Sequence, residues 1–568
     1  MEPNQPAPAT PPPPEPSLPA RIAWLILILT TLYVCYFSHL GAIGLVGPDE
    51  PRYASIARAM AETGDWVTPR LYGNPWFEKP PLYYWGAALS FRLFGVSEAA
   101  ARLPSAVSAL LATLAIAWLA LRLYGPETAR WLLLLLPTTV GMISFSHAAA
   151  TDMPFSAMFT IAMVAAAILL RLVPPERSPI SAPKQSSPQP PASSLTSFTS
   201  STYFAAALFG FFLGLAVLAK GPAGMILCGG AAFLWALITK RWRDALRLFH
   251  PAAIAAFCLT ALPWYILCAR RNPDFFRIFI IEHNFKRFLT PEFQHIQPFW
   301  FYAEIILLAF LPWTAQLIWA LVVGLKRVIQ AKRLSAFTSF LLSWAGFGFV
   351  FFTISRSKLP GYILPAIPAI ALILSRSATS LAPAKHRSFG LASLAAAALF
   401  AGLAMKVFDA RILKNLIAFA PLFALLLGAL ALANFLLGIF FPFSRRNAAL
   451  VAGILPILLL FALVDEILPF TPVSILSPRY LADQLRANHV PLAELRVAGI
   501  RRSTLYGLNF YLRTDLQEWD RDSAHEAYVL ATGRLPCSKI PEYLNCSSLW
   551  GQIDKIDDLE LLHITPKH

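Results

Sequence analysis

Charged residues are scarce in this chain of 568 residues. Asp, Glu, Lys and Arg together make up 14% of it, whereas hydrophobic residues make up 57%. A soluble protein has about 25% charged residues. The composition therefore excludes an ordinary soluble protein and predicts a polytopic membrane protein.

Acidic residues are fewer than basic ones, 31 against 47, which leaves a formal net charge of +16. In a soluble protein such an excess would suggest a nucleic-acid partner. Here the basic residues lie mainly in short segments between apolar runs, as the positive-inside rule expects. No nucleic-acid partner is therefore expected, and the lipid bilayer is the expected surrounding.

Cysteine is also scarce, with six residues, and no Cys/His grouping has the spacing of a zinc finger. Cys537 and Cys546 lie in a polar tail and could pair if that tail is outside the cytoplasm. The other four lie in or at the edge of apolar runs and are interpreted as core residues: Cys35, Cys228, Cys258 and Cys268.

The apolar runs predict about 13 transmembrane helices, since each is near the ~20 residues that cross about 30 Å of hydrocarbon. The first run, Arg21–Val46, is too long for a typical signal peptide and lacks a small-residue cleavage site, so it is predicted to stay as a helix over Ala23–Leu45. The others are Leu103–Leu121, Trp131–Ser146, Pro154–Leu170, Tyr203–Leu218, Pro222–Ile238, Ala252–Cys268, Phe301–Leu325, Phe337–Ile354, Tyr362–Leu374, Phe389–Phe408, Leu416–Phe440 and Ala448–Leu463.

Three parts are expected along the chain. Residues 1–20 are rich in Pro and Ala and are predicted to form a disordered cytoplasmic tail. Residues 21–468 form the transmembrane domain, and residues 469–568 a soluble α/β domain. Basic connections such as Lys240–Arg243 are assigned to the cytoplasm, together with a Pro/Ser-rich linker at 174–201. The loop 47–102 and the C-terminal domain then lie on the opposite, external face.

The stretch Gly47–Trp85 is the most polar part of the membrane region and reads GPDEPRYASIARAMAETGDWVTPRLYGNPWFEKPPLYYW. Its prolines prevent a single membrane span. Arg52–Glu62 and Leu82–Phe94 are predicted to form short helices that lie at the membrane surface.

Charged residues at helix ends on one face are candidate functional residues, because charges within a membrane are costly. Asp49 is either a general base, a group that orients an acceptor, or the N-cap of the following helix. Lys79, beside Glu78, can neutralise a phosphate or serve as an interfacial anchor. Asp152 precedes Pro154 at the start of a span and fits a helix cap as well as a site.

Three further segments on this face carry cations. Lys220 lies in the turn between two spans and can hold a phosphate or extend to lipid headgroups. Glu282–Phe288 contains His283 and Arg287, a metal-ligand type and a phosphate-binding type. Ser355–Tyr362 is basic and aromatic. Each segment alone also fits a solvated interfacial loop, and together the five segments favour a binding site.

Seven motifs, in the order in which they occur along the chain, resemble those of the integral-membrane GT-C glycosyltransferases. The resemblance is to the branch of the lipid A aminoarabinose transferases and the protein O-mannosyltransferases. The motifs are PDEPRYA (Pro48–Ala54), GNPWFEKPPLYYW (Gly73–Trp85), TDMP (Thr151–Pro154), LAKGP (Leu218–Pro222), IEHNFKRF (Ile281–Phe288), PFWFY (Pro298–Tyr302) and SKLPGYILP (Ser357–Pro365).

The resemblance implies a polytopic α-helical GT-C fold of about 13 spans with a small extracytoplasmic α/β domain, in a bacterial inner membrane with a periplasmic active site. It also implies transfer of a sugar from a polyprenyl-phosphate carrier with inversion. Asp49, Asp152 and Lys79 are the implied catalytic residues. The implied substrate-binding residues are Glu50, Arg52, Tyr53, Lys220, Arg287, Lys358 and Tyr362. The resemblance does not require a cofactor. A divalent metal such as zinc, if one is bound, would be held by Glu78 and His283.

The acceptor and the sugar stay open at this point. An acceptor hydroxyl would give its proton to Asp49, whereas an acceptor phosphate, as on lipid A, needs no base. A glycolipid such as lipopolysaccharide, a glycan or a protein therefore remains an alternative acceptor. A lipid-linked sugar flippase is a further alternative, but it would carry polar residues through the middle of its spans. A non-catalytic assembly factor is disfavoured by the presence of Asp49, Asp152 and Lys79 together.

Overall fold

The computed structural model describes most of the membrane region and most of the C-terminal domain. The residues that it describes are 17–174, 193–279, 282, 297–330, 334–381, 385–408, 420–443, 446–467, 477–520, 525–532, 537, 540–541, 543–554 and 559–566. His283, Arg287 and most of the predicted linker and N-terminal tail lie outside these residues.

The described chain is mainly helical. Its first half contains α1 (Leu18–Tyr36), α2 (Asp49–Thr63), α3 (Leu82–Phe94), α4 (Glu98–Tyr124), α5 (Pro126–Leu135), α6 (Val140–Ser146), α7 (Asp152–Leu169), α8 (Ser193–Lys220), α9 (Ala223–Thr239), α10 (Trp242–Ala245) and α11 (Pro251–Arg271). Then come α12 (Phe301–Ala309), α13 (Thr314–Gln330), α14 (Ala336–Ile354), α15 (Ile367–Thr379), α16 (His386–Phe408), α17 (Ala420–Phe440), α18 (Arg446–Ile467), α19 (Arg479–Ala487) and α20 (Arg502–Leu512). Short 3-10 helices cover Leu246–Phe249, Pro360–Ala366 and Phe441–Phe443.

Within the described ranges, ten helices are long and apolar enough to cross a membrane, or up to twelve if each of two bent helix pairs is one span. The seventeen-residue helix α9 is the remaining apolar run. The chain is therefore a multi-span membrane protein, as predicted. Most of the buried apolar side chains of these helices form one large cluster, with Trp131, Phe155, Trp313 and Trp344 among its members.

Two runs that were predicted as continuous spans are broken. Helices α5 and α6 meet at 61°, and α12 and α13 at 119°. A proline stands in each break, Pro137 and Pro312. Proline has no N–H to donate to the preceding turn, so a helix ends near it. At the first break, Val140 donates instead to the carbonyl of Leu311 at 3.0 Å, which ties the two breaks together.

The first helix ends earlier than predicted, at Tyr36 instead of Leu45. The carbonyls of Leu40 and Ile43 each accept a hydrogen bond of 2.8 Å from Arg102, and that of Gly44 accepts one of 2.9 Å. These backbone acceptors serve a distant arginine and not a helical ladder. The hydropathy of the run therefore places the end of the helix too late in the sequence.

The first loop forms its own small core between α2 and α3. The observed helix Leu82–Phe94 has the predicted limits, and Asp49–Thr63 extends the predicted Arg52–Glu62 at both ends. Tyr53, Tyr83 and Tyr84 are buried there, with ring centroids about 6 Å apart in tilted and edge contacts. A two-stranded ribbon, β1 (Arg70–Leu71) with β2 (Asn74–Pro75), lies in the same loop.

The C-terminal domain is a five-stranded mixed sheet with helices. Its strands are β3 (Leu495–Ala498), β4 (Gln517–Glu518), β5 (Ala527–Thr532), β6 (Leu544–Asp554) and β7 (Leu559–Pro566), in the order β4-β3-β5-β7-β6. Strand β3 pairs in parallel with β4 and β5, whereas β7 pairs antiparallel with β5 and β6. Cys537 and Cys546 form a disulfide at the start of β6. An α/β character for this part agrees with the prediction.

Candidate active site

Asp49 is the first residue of α2 and carries an accessible carboxylate. The N-cap position is Pro48, and no side chain caps the helix. Asp49 pairs with Arg52 one turn later, and 53% of its side chain is exposed, against 12% for Arg52. An exposed acid beside a nearly buried arginine is available to a substrate, so the local structure favours the functional interpretation over the capping one.

Arg52 links the two ends of the first loop. Besides Asp49, its Nη1 lies 3.0 Å from Oε2 of Glu78, and Oε1 of Glu78 lies 3.6 Å from Nζ of Lys79. Burial lowers the pKa of Arg52, but the carboxylates of Glu78 and Asp49 outweigh this and raise it above its ordinary value. The guanidinium therefore stays charged, and the four residues form one alternating chain of acids and bases.

Tyr53 follows Arg52 and is 3% exposed. Burial raises the pKa of Tyr53 well above its usual range, and the nearby Glu78 carboxylate adds to the effect. The phenol is therefore neutral and packs in the core of the loop. Its ring also lies 5.1 Å from the guanidinium carbon of Arg52, so it packs against the central residue of the chain of charges.

Glu50 points away from this chain of charges. It is 6% exposed. Its Oε2 accepts from Arg102 Nη2 at 2.7 Å and from the backbone N–H of Val46 at 2.8 Å. Its Oε1 accepts from Arg102 Nε at 3.1 Å and from the N–H of Ala149 at 2.7 Å. These four donors occupy the carboxylate, so Glu50 connects the first loop to Arg102 and Ala149. Its predicted contact with the substrate stays a prediction.

Arg102 is the functional partner that the sequence reasoning missed. It is 2% exposed and holds Glu50 together with the carbonyls that follow α1. A signal was available, because an arginine at the edge of an apolar run needs a partner. The sequence could not say which of several acids that partner was.

Asp152 and Lys220 form a second charged pair. Lys220 Nζ, at the end of α8, lies 2.5 Å from Oδ1 of Asp152, at the start of α7. Lys220 also lies over the ring of Tyr362 at 4.6 Å. Thr151 is the N-cap of α7 and Asp152 does not cap it. Three residues from three distant motifs therefore meet in the structure.

The backbone of Gly361 makes room for this pair. A β-carbon at this position would lie 2.3 Å from Oδ1 of Asp152 and 2.9 Å from the ring of Phe145. Glycine therefore lets the 3-10 helix Pro360–Ala366 approach the carboxylate directly.

Lys358 lies on the same segment and is only 8% exposed. Within the described chain it makes no ion pair and no side-chain hydrogen bond. The neighbouring hydroxyl of Ser357 is buried and likewise lacks a hydrogen-bond partner among those residues. An anionic ligand at this place would supply Lys358 with the counter-charge that the described residues do not provide.

The backbone ties these groups to one another. Ala149, held by Glu50, stands three residues before Asp152. Tyr302 donates to the carbonyl of Leu359 at 3.3 Å, next to Lys358. Glu50 thus connects the first loop to the segment that precedes Asp152, and Tyr302 connects α12 to the Lys358 segment.

The end of α11 is fastened to the first loop by a cluster that the sequence reasoning also missed. Asp65 accepts from Arg271 at 3.1 Å, and Thr68 accepts from Asn272 at 3.0 Å. Trp264 donates to the carbonyl of Val67 at 2.9 Å. The segment that contains His283 and Arg287 starts just beyond this cluster.

The surroundings of Glu78 do not fit the predicted metal site. Its two carboxylate oxygens face Arg52 and Lys79, and these cations would repel a divalent ion. The other predicted ligand, His283, lies outside the described residues. Across the parts of the chain that are described, no group of three or more His, Cys, Asp or Glu residues is arranged to hold a metal. No catalytic step is therefore assigned to a metal.

The fold is the GT-C fold of integral-membrane proteins. A family model for dolichyl-phosphate-mannose-protein mannosyltransferase matches residues 22–279. The structure superposes on ArnT from Cupriavidus metallidurans in the apo state with a TM-score of 0.73 and 23% identity, over 96% of this chain and 98% of that one. It superposes on the same protein bound to undecaprenyl phosphate with a TM-score of 0.72 and 22% identity, over the same shares.

More particular relatives are undecaprenyl phosphate-alpha-4-amino-4-deoxy-L-arabinose arabinosyl transferases. The one from Enterobacter sp. (strain 638) is 31% identical over 334 residues, which are 59% of this chain and 55% of that protein. The one from Aeromonas salmonicida is 32% identical over 346 residues, 60% of this chain and 58% of that protein. The chain thus spans little more than half the length of these relatives. The resemblance to the GT-C transferases of this type is confirmed.

Proposed function

We propose that the protein transfers a glycosyl group, a pentose such as aminoarabinose, from a polyprenyl-phosphate carrier to lipid A at the periplasmic face of the bacterial inner membrane. The observation that carries the proposal is the exposed carboxylate of Asp49, held beside buried cations on a fold shared with ArnT bound to undecaprenyl phosphate. The names of the relatives supply the sugar and the carrier.

Cations serve the leaving group in this reaction. The bond between the anomeric carbon and the carrier oxygen breaks, and its electron pair stays on the polyprenyl phosphate. Lys79 and Lys358, which are nearly buried, would neutralise that charge, as would Lys220 and Arg287. Charge-assisted contacts of this kind stabilise a departing phosphate without a nucleotide-bound metal.

Asp49 serves the other side of the sugar. An acceptor oxygen attacks the anomeric carbon opposite the carrier, which inverts its configuration. A phosphate acceptor is already an anion and gives up no proton, so Asp49 would orient it through Arg52 or stabilise positive charge on the sugar. An acceptor hydroxyl would give its proton to Asp49 as general base.

Protein O-mannosyl transfer is the second candidate, favoured by the family model that matches residues 22–279. Transfer to a protein hydroxyl differs from transfer to a lipid A phosphate because it requires Asp49 as a general base. A sugar flippase is less well supported, because the charged pairs in the described chain lie at helix ends. The polar trio inside the spans, Gln316, Ser393 and Asn434, is uncharged and internally hydrogen-bonded.

Asp49→Asn tests the proposal. We expect sugar transfer to fall by about 100-fold or more, the scale of a lost acid–base group, while the thermal stability is unchanged because the side chain is exposed. Transfer is measured with purified protein, undecaprenyl-phosphate aminoarabinose and lipid A, by the mass of the product.

Glu62→Gln is the matched control, since Glu62 is an exposed acid on the same helix. Near-normal turnover by Asp49→Asn would contradict the assignment. Mass spectrometry of lipid A, envelope glycans and secreted proteins from cells with and without the protein separates the acceptors: a glycosylated protein in place of modified lipid A selects the second candidate.

A further inference from the structure

Helix α20 of the C-terminal domain packs directly on the helix that carries Asp49. Arg58 of α2 donates to the backbone carbonyl of Phe510 at 2.7 Å, and its guanidinium lies 5.1 Å from that ring. Phe510 is 4% exposed and belongs to the core of the first loop. The hydroxyl of Tyr511 accepts from the N–H of Leu45 at 2.7 Å. The domain is therefore built into the first loop through α20.

One residue of α20 reaches the chain of charges itself. The guanidinium carbon of Arg52 lies 5.1 Å from the ring of Tyr53, 5.5 Å from that of Trp76 and 5.8 Å from that of Tyr506. All three are within the ~6 Å at which an arginine is attracted to an aromatic face. Tyr53 and Trp76 come from the first loop, whereas Tyr506 comes from the C-terminal domain.

The three aromatic rings lie around the guanidinium group of Arg52. Its Nε is buried and makes no hydrogen bond in the described chain. Its two carboxylate partners, Asp49 and Glu78, contact the terminal nitrogens only. An arginine can use its flat face for aromatic contacts while its edge binds carboxylates. The two carboxylates thus hold the terminal nitrogens, and three rings surround the guanidinium. We name these three rings the Arg52 cage.

We propose that Tyr506 is a positioning residue for the transfer reaction, and that the C-terminal domain completes the active site by supplying this wall of the Arg52 cage. Tyr506 acts through Arg52, which in turn holds the carboxylates of Asp49 and Glu78 at the spacing the reaction requires. The proposal rests on the proposed function, and it adds a role for the C-terminal domain.

The experiment uses the full-length protein in lipid nanodiscs with undecaprenyl-phosphate aminoarabinose and lipid A. Tyr506→Leu is expected to lower kcat about three- to tenfold with little change in KM, the factor of one cation–π contact. Tyr506→Phe keeps the ring and is expected to restore kcat. Tyr528→Leu is the matched control, because Tyr528 stacks on His563 in the sheet of the same domain, and it is expected to leave kcat unchanged.

A double-mutant cycle identifies Arg52 as the intermediary. In an Arg52→Leu background, Tyr506→Leu is expected to cause less than a twofold further loss, because the cage has nothing left to hold. Losses that multiply, or a Tyr506→Phe variant as slow as Tyr506→Leu, would overturn the proposal. A Tyr528→Leu variant that is equally slow would do the same, since it would indicate a general effect of the domain.

The four proteins of the cycle are the unmodified protein, Tyr506→Leu, Arg52→Leu and the double variant. They are also compared by thermal unfolding, which requires no substrate. Shifts of the unfolding temperature that are smaller in the double variant than the sum of the single shifts support the cage, and additive shifts overturn it. If the unmodified protein transfers no sugar to lipid A, the proposed function fails on its own, and the unfolding cycle still decides whether Tyr506 holds Arg52.

Discussion

Two adjacent acids, Asp49 and Glu50, have opposite environments although their sequence context is the same. Successive residues of an α-helix point about 100° apart, so one carboxylate of α2 can face outward while the next faces the core. Asp49 is half-exposed, and Glu50 is enclosed by Arg102 and two backbone N–H groups. The chemistry of the first depends on the fixed geometry of the second.

Glu50→Ala is therefore expected to act on stability. It leaves the guanidinium of Arg102 buried without its counter-charge, and breaking a buried pair in this way costs about 3–5 kcal/mol. We expect a lower unfolding temperature and lower yield in the membrane, measured by differential scanning fluorimetry of the detergent-solubilised protein. Asp49→Asn, measured alongside, should keep the stability of the unmodified protein.

A substrate-binding Glu50 would give the opposite pattern. Unchanged thermal stability together with a raised KM for donor or acceptor in Glu50→Ala would contradict the expected effect on stability.

At the scale of elements, the site depends on helix ends that meet where the chain is interrupted. The end of α8, the start of α7 and the 3-10 helix Pro360–Ala366 converge on the pair Asp152 and Lys220. The 3-10 helix can approach because Gly361 has no side chain. From hydropathy, the residues after Gly361 are predicted to begin an ordinary span. Hydropathy therefore could not predict the close approach of Gly361 to Asp152.

Gly361→Ala tests that contact. The added methyl group would overlap the Asp152 carboxylate, and we expect it to displace the acid from Lys220 and to lower sugar transfer at least tenfold, in line with the loss of one well-placed charge contact. The measurement is the initial rate of the transfer reaction.

Gly348→Ala provides the control for this prediction. Gly348 lies on the neighbouring helix α14, and a β-carbon there meets nothing within 4 Å. Equal rates for the two variants would show that the approach of Gly361 to Asp152 has no functional weight.

At the scale of the whole molecule, the first loop and the C-terminal domain form one structure. Arg479 pairs with Glu98 at 3.1 Å, and Tyr511 donates to the same carboxylate at 3.1 Å. The disulfide of Cys537 and Cys546 is of a kind that persists in oxidising compartments. The periplasmic position of the C-terminal domain, on the same side as Asp49, stays a prediction.

Cysteine labelling tests this topology. In spheroplasts, Asn488→Cys, at the end of α19, is expected to react with a membrane-impermeant maleimide. Arg243→Cys, in the basic connection before α11, is expected to react only after permeabilisation. Both positions are exposed, and three of the four free cysteines, Cys35, Cys228 and Cys268, are buried, so the unmodified protein provides the background.

The reverse labelling pattern would place the C-terminal domain in the cytoplasm and would contradict the periplasmic active site. Labelling of both positions in intact spheroplasts would contradict the predicted number of spans between them.

The sequence by itself determined the membrane class, the apolar runs, the helix Leu82–Phe94 and the order of the motifs. These features are local: hydropathy over ~20 residues and helical periodicity can be recognised without knowledge of the fold. The breaks at Pro137 and Pro312 could not be predicted from the prolines alone, because Pro263 and Pro456 also stand inside predicted runs and lie within unbroken helices. What the sequence left undecided at Asp49 was whether a carboxylate at that position caps a helix or faces a substrate.

Tertiary structure decided which charges meet. Glu50 and Arg102 are 52 residues apart, and Arg58 and Phe510 are 452 residues apart. No local pattern specifies such pairs, because burial and pairing of a charge depend on the elements that pack against it. For the same reason, only the fold placed Tyr506 of the C-terminal domain over Arg52, and so connected the last domain of the chain to the first acid of its first loop.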